Sequence, residues 1–193
     1  MTVYHYCSLD VFAKIIAGKS ILLSDITKSN DSMEILWITK YIEEIFDEEI
    51  EKIIEAGIMA PSAKNQQPWE FIVIKDKSTL NKLSEKLSPL YAKSKVTIIL
   101  CMRNYDLKSP TRIEQDMSAC MENMMLEATY LGIGSCWVGT YPDTERMNPL
   151  IEILDIPNNI IPFCGLTLGY PAKEDCFKEV KRTAIIHKEK YGA

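Results

Sequence analysis

The sequence predicts an α+β or α/β chain built around a single sheet. Three observations carry that expectation. Short apolar runs alternate with segments of helical period along the chain. One run, VTIILCM at 96–102, is apolar on both faces, as an interior strand covered on both sides would be. The chain has 193 residues with 47% hydrophobic content, enough for one sizeable core.

The elements follow in order. Residues 9–18, LDVFAKIIAG, read as a short helix stopped by Gly18, ILLSD at 21–25 as an extended piece, and 33–45 as helical. A stronger helix spans 48–59. Ile50, Ile53, Ile54 and Ile58 share one face, Asp47 can cap its start, and Glu48, Glu49 and Glu51 suit the positive end of its dipole. A strand at 71–75 and a helix at 78–87 precede the central strand at 96–102. The apolar-rich helix at 115–132, QDMSACMENMMLEATYLG, is stopped by Gly132. A strand at 135–141, a helix at 144–154 ending ahead of Pro157, and a strand at 163–170 complete the pattern. The basic tail beyond, KEVKRTAIIHKEKYGA, carries no packed element.

Composition narrows the function. With 22 Lys+Arg against 27 Asp+Glu, the net charge of −5 argues against a nucleic-acid binder. The apolar runs fall well short of the ~20 residues that span a bilayer, so no membrane span is expected. MTVYHYCSLD has no cationic segment followed by an apolar stretch, so no signal peptide is expected. The six cysteines, 7, 101, 120, 136, 164 and 176, form no C-x-x-C, and His5 and His187 give no zinc spacing. Free thiols in a reducing cytoplasm, and no metal, are the expectation.

Common catalytic motifs are missing. GIGSCW at 132–137 starts like a dinucleotide fingerprint, but Trp137 stands where the third glycine belongs, and a helix precedes it instead of a strand. There is no P-loop, H-E-x-x-H or G-x-S-x-G, and two histidines give hydrolytic triads few candidates. Catalysis, if present, would rest on a cofactor. Three segments are candidates to hold one. APSAKNQQPW, 60–69, puts Ser62, Lys64, Asn65, Gln66 and Gln67 just after the helix stop at Pro61. Their amides could read a flat heteroaromatic edge and Lys64 could meet an anion, or the stretch is a polar loop over a packed Trp69. GIGSCWVGTY, 132–141, has three glycines that permit close backbone approach to a ligand, or simply form a helix stop and a turn. Lys178, Lys181 and Arg182 could pin a phosphate, or belong to a solvated tail.

Together these segments resemble the FMN-dependent nitroreductase family, in its short members. The resemblance rests on IEKIIEAGIMAPSAKNQQPWEFIVI, QDMSACMENMMLEATYLGIGSCWVGTY, GLTLGYP and the ending HKEKYG, and covers roughly residues 38–193. It implies an α+β fold with a mostly antiparallel central sheet flanked by helices, in an interleaved homodimer with FMN at the interface. It assigns Pro61, Ser62, Ala63, Lys64, Asn65 and Gln67 to the flavin, a turn at Val138 and Gly139 to the ring's other side, and Lys181 and Arg182 to the phosphate. It further implies hydride passing from NAD(P)H through FMN to a nitroaromatic- or quinone-like small molecule, with no obligatory side-chain acid or base.

Two departures stand out. Where the family has an arginine-rich segment that grips the FMN phosphate, this chain reads EILWITKY at 34–41, with Lys40 its one cation and Glu34 nearby. Loss of charge-assisted bonds there would weaken cofactor affinity, and it motivates the alternative of a catalytically weakened or non-enzymatic flavin-binding protein. Upstream, residues 1–36 resemble the opening of an uncharacterised bacterial family that starts Y-H-Y-x-S-L. They are expected to be an atypical N-terminal segment on a nitroreductase-like domain at 37–193. Lys28, Ser29 and Asn30 are candidates for replacement phosphate contacts. His5 and Asp25 could be remnants of another site, or simply structural.

Overall fold

A computed structural model of the chain describes residues 47–170 and 184–192. The elements expected at 9–18, 21–25 and 33–45, the EILWITKY segment, and Lys178, Lys181 and Arg182 lie outside the described residues. The chain divides into two units, Met1–Ile50 and Glu51–Ala193, and the second contains the sheet.

That sheet is four-stranded and antiparallel, in the order β1-β2-β4-β3, comprising β1 (Trp69–Ile74), β2 (Val96–Arg103), β3 (Gly134–Gly139) and β4 (Ile160–Gly169). β2 is interior, and Val96 through Met102 are all buried, as its two-faced apolarity requires. Strand alternation divides its side chains between two layers. Ile99 and Cys101 join a core with Leu80, Leu83, Tyr91 and Leu150. These come from three helices, α2 (Lys77–Lys86), α3 (Pro89–Lys93) and α5 (Thr144–Leu154). A long helix, α4 (Ile113–Tyr130), packs on β2, β3 and β4 and buries Met117, Cys120, Met121, Met124 and Ala128. The architecture is the expected α+β one, a sheet flanked by helices.

The first described helix, α1, covers residues 47–58, so Asp47 is a helical residue and not the cap expected there. Its buried stripe also differs from the expected one. Ile53, Gly57 and the following Ala60 are buried, while Ile58 is exposed. Gly57 explains the rotation. A Cβ there would lie 2.7 Å from Met124 Cγ and 3.1 Å from Cys120 Sγ, so the missing side chain brings α1 close to α4 along that line.

Other boundaries have local causes. β1 begins at Trp69, two residues early, because Trp69 pairs with Met102 and the Arg103 N–H donates to the Pro68 carbonyl at 2.9 Å. α2 starts where the Asp76 carboxylate accepts the Thr79 N–H at 2.7 Å. α3, with Ser88 as N-cap and Pro89 in its first turn, is too short for periodicity to announce. α4 stops as expected. Gly132 at φ 73 donates to Thr129, and Ile133 donates to Ala128, the paired bonds of a Schellman ending. β4 starts at Ile160, ahead of the expected 163. The register slips between Leu100 and Cys101, and that irregularity admits Pro162, which has no N–H to give, opposite Cys101.

Candidate functional site

The stretch 60–69 resolves into two sides. Gln66, Pro68 and Trp69 are buried; Pro61, Lys64, Asn65 and Gln67 are exposed, with Ser62 and Ala63 between. The alternation comes from unusual backbone. Lys64, Asn65 and Gln67 have φ of 53, 51 and 45°, three left-handed non-glycine residues in four positions. Lys64 and Gln67 each cost roughly 1–2 kcal/mol against their ordinary conformation, and Asn65 less because asparagine tolerates this region, so the surroundings must hold the loop there.

They do so with side chains from distant elements. The buried Asp116 carboxylate, in the first turn of α4, accepts the Ala63 N–H through Oδ1 at 2.9 Å and the Gln66 amide through Oδ2 at 2.6 Å. The Gln66 carboxamide also pairs with Ser109. Its Nε2 donates to the carbonyl at 3.2 Å, and its Oε1 accepts the N–H at 2.9 Å. Arg103, at the end of β2, donates to the Gln66 carbonyl at 2.5 Å. Within the loop, Ser62 Oγ accepts the Gln67 N–H at 3.0 Å.

What remains outward is a polar edge. Gln67 Nε2 donates to Asn65 Oδ1 at 2.9 Å, which leaves the Asn65 amide N–H groups and the Gln67 carbonyl open on adjacent side chains. A donor beside an acceptor on an exposed rim can pair with the edge of a flat heteroaromatic ring. Lys64, a candidate to meet an anion, donates to the Lys108 carbonyl at 3.3 Å. Beside the loop lies an open cleft of about 400 Å³ whose walls include Pro61, Ser62, Ala63, Arg112, Gln115 and Asp116.

Val138 and Gly139 are the last residues of β3, not a turn. Strand pairing orders them there, and Val138 turns its side chain into the core, leaving only its backbone to meet a ligand. Gly139 is exposed, a Cβ on it would meet nothing within 4 Å, and its carbonyl accepts from Arg146 at 3.0 Å. The antiparallel order puts Gly139 and the start of β1 at the same end of the sheet, on opposite edges. Three strand spacings, about 14 Å, separate Gly139 from Phe71 in its own row, and Trp69 and the loop lie further along β1. An aromatic group lies at that end: Phe163 stacks on Tyr141 at 5.9 Å and meets Trp137 edge-on at 6.3 Å.

Sequence reasoning missed Asp116, Arg103 and the inward role of Gln66. The single legible sign was a lone acid, Asp116, facing the apolar stripe of α4. The described cysteines, 101, 120, 136 and 164, are free. Burial pushes the Cys101 and Cys120 thiols up to about 12 and raises Cys164 further, so these three are inert packing groups. Among the described residues, no three His, Cys, Asp or Glu gather as a metal site, and no helix is long and apolar enough to cross a membrane.

Comparison with known proteins gives a consistent outcome. The pattern of the nitroreductase family matches residues 43–98 and 85–170. A protein of Archaeoglobus fulgidus, provisionally named NADH dehydrogenase/NAD(P)H nitroreductase, is 44% identical over 154 residues, which are 77% of this chain and 88% of the relative. A crystal structure from Clostridium acetobutylicum, provisionally named an NADH oxidase, is 41% identical, with a TM-score of 0.70 over 75% of this chain and 89% of that one. A Desulfovibrio desulfuricans structure, provisionally named a nitroreductase and solved with FMN, is 27% identical, with a TM-score of 0.60 over 71% of this chain and 80% of that one.

Proposed function

The chain belongs to the nitroreductase family, and from that premise we propose that it is an FMN-dependent oxidoreductase taking hydride from NAD(P)H and reducing a nitroaromatic- or quinone-like small molecule. The observation that carries the proposal is the loop 61–67, whose backbone is held in a costly conformation while its donor and acceptor side chains face outward. Left-handed non-glycine residues cluster at ligand-binding sites, and three of them in four positions support that reading. Pro61, Ser62, Ala63, Asn65 and Gln67 would line the flavin, with Lys64 at the rim. The backbone of Val138 and Gly139 would lie at its other side, and Lys181 and Arg182 would be its phosphate partners. FMN, when bound, supplies the two-electron chemistry between the nicotinamide donor and the acceptor. The chain's own part is to fix the ring and keep an open, aromatic-walled approach to it.

The working unit in this proposal is a homodimer. One chain offers the loop and Gly139 at opposite edges of one sheet end, more than three strand spacings (about 14 Å) apart, so a second copy would close the site. Exposed Leu126 and Tyr130, one turn apart on α4, give it apolar surface to pack on. The described cysteines are free, which is in keeping with the cytoplasmic setting we propose.

Purified protein should be yellow, or turn so on adding FMN, and its visible band should bleach with NAD(P)H without oxygen. Protein that stays colourless and leaves FMN fluorescence unquenched would sink the proposal. The absence of arginine from EILWITKY favours one second reading, a weakened flavin binder. Under that reading riboflavin binds nearly as well as FMN, and NAD(P)H gives no turnover.

A further inference from the structure

We infer that Asp116 and Gln66 form a latch that sets the shape of the ligand-facing loop, which makes Asp116 a positioning residue for the flavin. The inference rests on the FMN assignment for what the loop holds, but not for the latch itself. Asp116 and Gln66 are both buried, and each spends its polar atoms on the loop or the segment just before α4. The carboxylate joins two loop positions, the backbone of Ala63 and the side chain of Gln66, across 53 and 50 residues of chain. Gln66 carries the connection on to Ser109, ahead of α4, and its carbonyl to Arg103 on β2. Between these two tied points sits Asn65, whose side chain faces out beside that of Gln67.

The geometry explains how three left-handed non-glycine residues persist. Without Asp116, the Ala63 N–H and one Gln66 amide hydrogen lose an acceptor in a partly buried place. Such unpaired donors favour reopening of the loop to water. The loop would then return to ordinary backbone conformations, and Asn65 and Gln67 would no longer share one edge. Asp116 also lines the cleft beside Ser62 and Ala63, so its loss alters the wall where a ring edge would rest.

The test uses the full chain and three variants, Asp116→Ala, Gln66→Ala and the double. Hydrogen exchange of the peptide covering 61–69 reports the latch without any ligand. Titration with FMN and with riboflavin, followed by the visible circular dichroism of the bound ring, reports positioning. Asp116→Ala should speed exchange at Ala63 by about ten- to a hundredfold and weaken both flavins by a similar factor of about ten, since the loop meets the ring and not the phosphate. Exchange in β2 should stay unchanged. The double variant should be no worse than the worse single, because the two residues act as one unit.

Loop exchange and flavin affinity in Asp116→Ala within about twofold of the parent would overturn the inference. So would losses in the double variant that equal the sum of the singles. If Asp116→Ala does not fold, Gln66→Ala decides by the same readings. A parent chain that binds neither flavin defeats the FMN assignment, while exchange at Ala63 still decides whether the latch exists.

Discussion

Two segments lie at one end of the sheet, and they are held by different means. The loop 61–67 keeps its shape through side chains of Asp116, Gln66 and Arg103 acting on left-handed backbone. Val138 and Gly139 keep theirs through the β3–β4 ladder and a valine in the core. The first arrangement depends on particular polar groups far apart in sequence. The second depends on a sheet that many apolar sequences could build. Damage to the loop should therefore appear as local opening, and damage to the sheet as loss of global stability.

The largest expected effect tests how closed the sheet side is. In a chain with Cys7 and Cys176 replaced by serine, iodoacetamide at neutral pH should label Cys136 and spare Cys101, Cys120 and Cys164. Cys136 is exposed, whereas Cys101 and Cys120 are raised from 9.0 to about 12, a loss of about a thousandfold in thiolate before burial adds its own barrier. Mass spectrometry of the labelled sites decides it, and prompt labelling of Cys101 would mean the sheet opens readily. The next effect strikes the same side. Ile99→Ala on β2 removes a fully buried side chain and should cost about 2–5 kcal/mol in denaturant unfolding, with loop exchange rising only as far as global stability falls. Preferential loosening of 61–67 in that variant would erase the distinction between the two regions.

The same division marks what could be read from the sequence. β2 and α4 were visible because apolar period is a local property, and Gly132 because only a residue tolerant of positive φ ends a helix that way. The boundary at Ile160 was hidden because the strand irregularity that tolerates Pro162 depends on the partner strand. Ile58 was misplaced on the buried face because Gly57, carrying no apolar side chain, marks the line where α4 approaches. In the candidate site, the outward Asn65 and Gln67, with the half-buried Ser62, were legible as a run of hydrogen-bonding types. Asp116 showed only as an acid beside the apolar stripe of α4, since nothing in its neighbourhood names a partner 50 residues away. Val138 was legible only as part of a glycine-rich segment, and its inward side chain follows from the pairing of β3 with β4.

A smaller effect probes the loop's stored strain. Lys64 is left-handed and exposed, and its ammonium group donates to the Lys108 carbonyl. Lys64→Gly removes a left-handed cost of roughly 1–2 kcal/mol and adds back roughly 0.5–1 kcal/mol of chain entropy. The variant should gain up to about 1.5 kcal/mol in denaturant unfolding, a small increment against the loss expected for Ile99→Ala. A destabilised variant would show that the Lys64–Lys108 bond, and not the Asp116–Gln66 pair, keeps the loop in place.

The smallest effect lies outside both regions and calibrates them. Asp76 caps α2, and its side-chain bond to Thr79, aided by the Thr79 backbone N–H, holds its carboxyl below the usual 3.8. A depressed acid stabilises the fold above its unfolded pKa and stops doing so as pH falls through its folded one. The melting temperature of Asp76→Ala should therefore lie below the parent's at neutral pH, and the gap should narrow once the pH drops under 3.8. A gap that stays constant with pH would mean the charge is irrelevant and the cap acts by shape alone. Because Asp76 is fully exposed and far along the chain from Asp116, this variant should leave exchange at Ala63 unchanged. Movement there would mean that the loop reports general stability instead of its own latch.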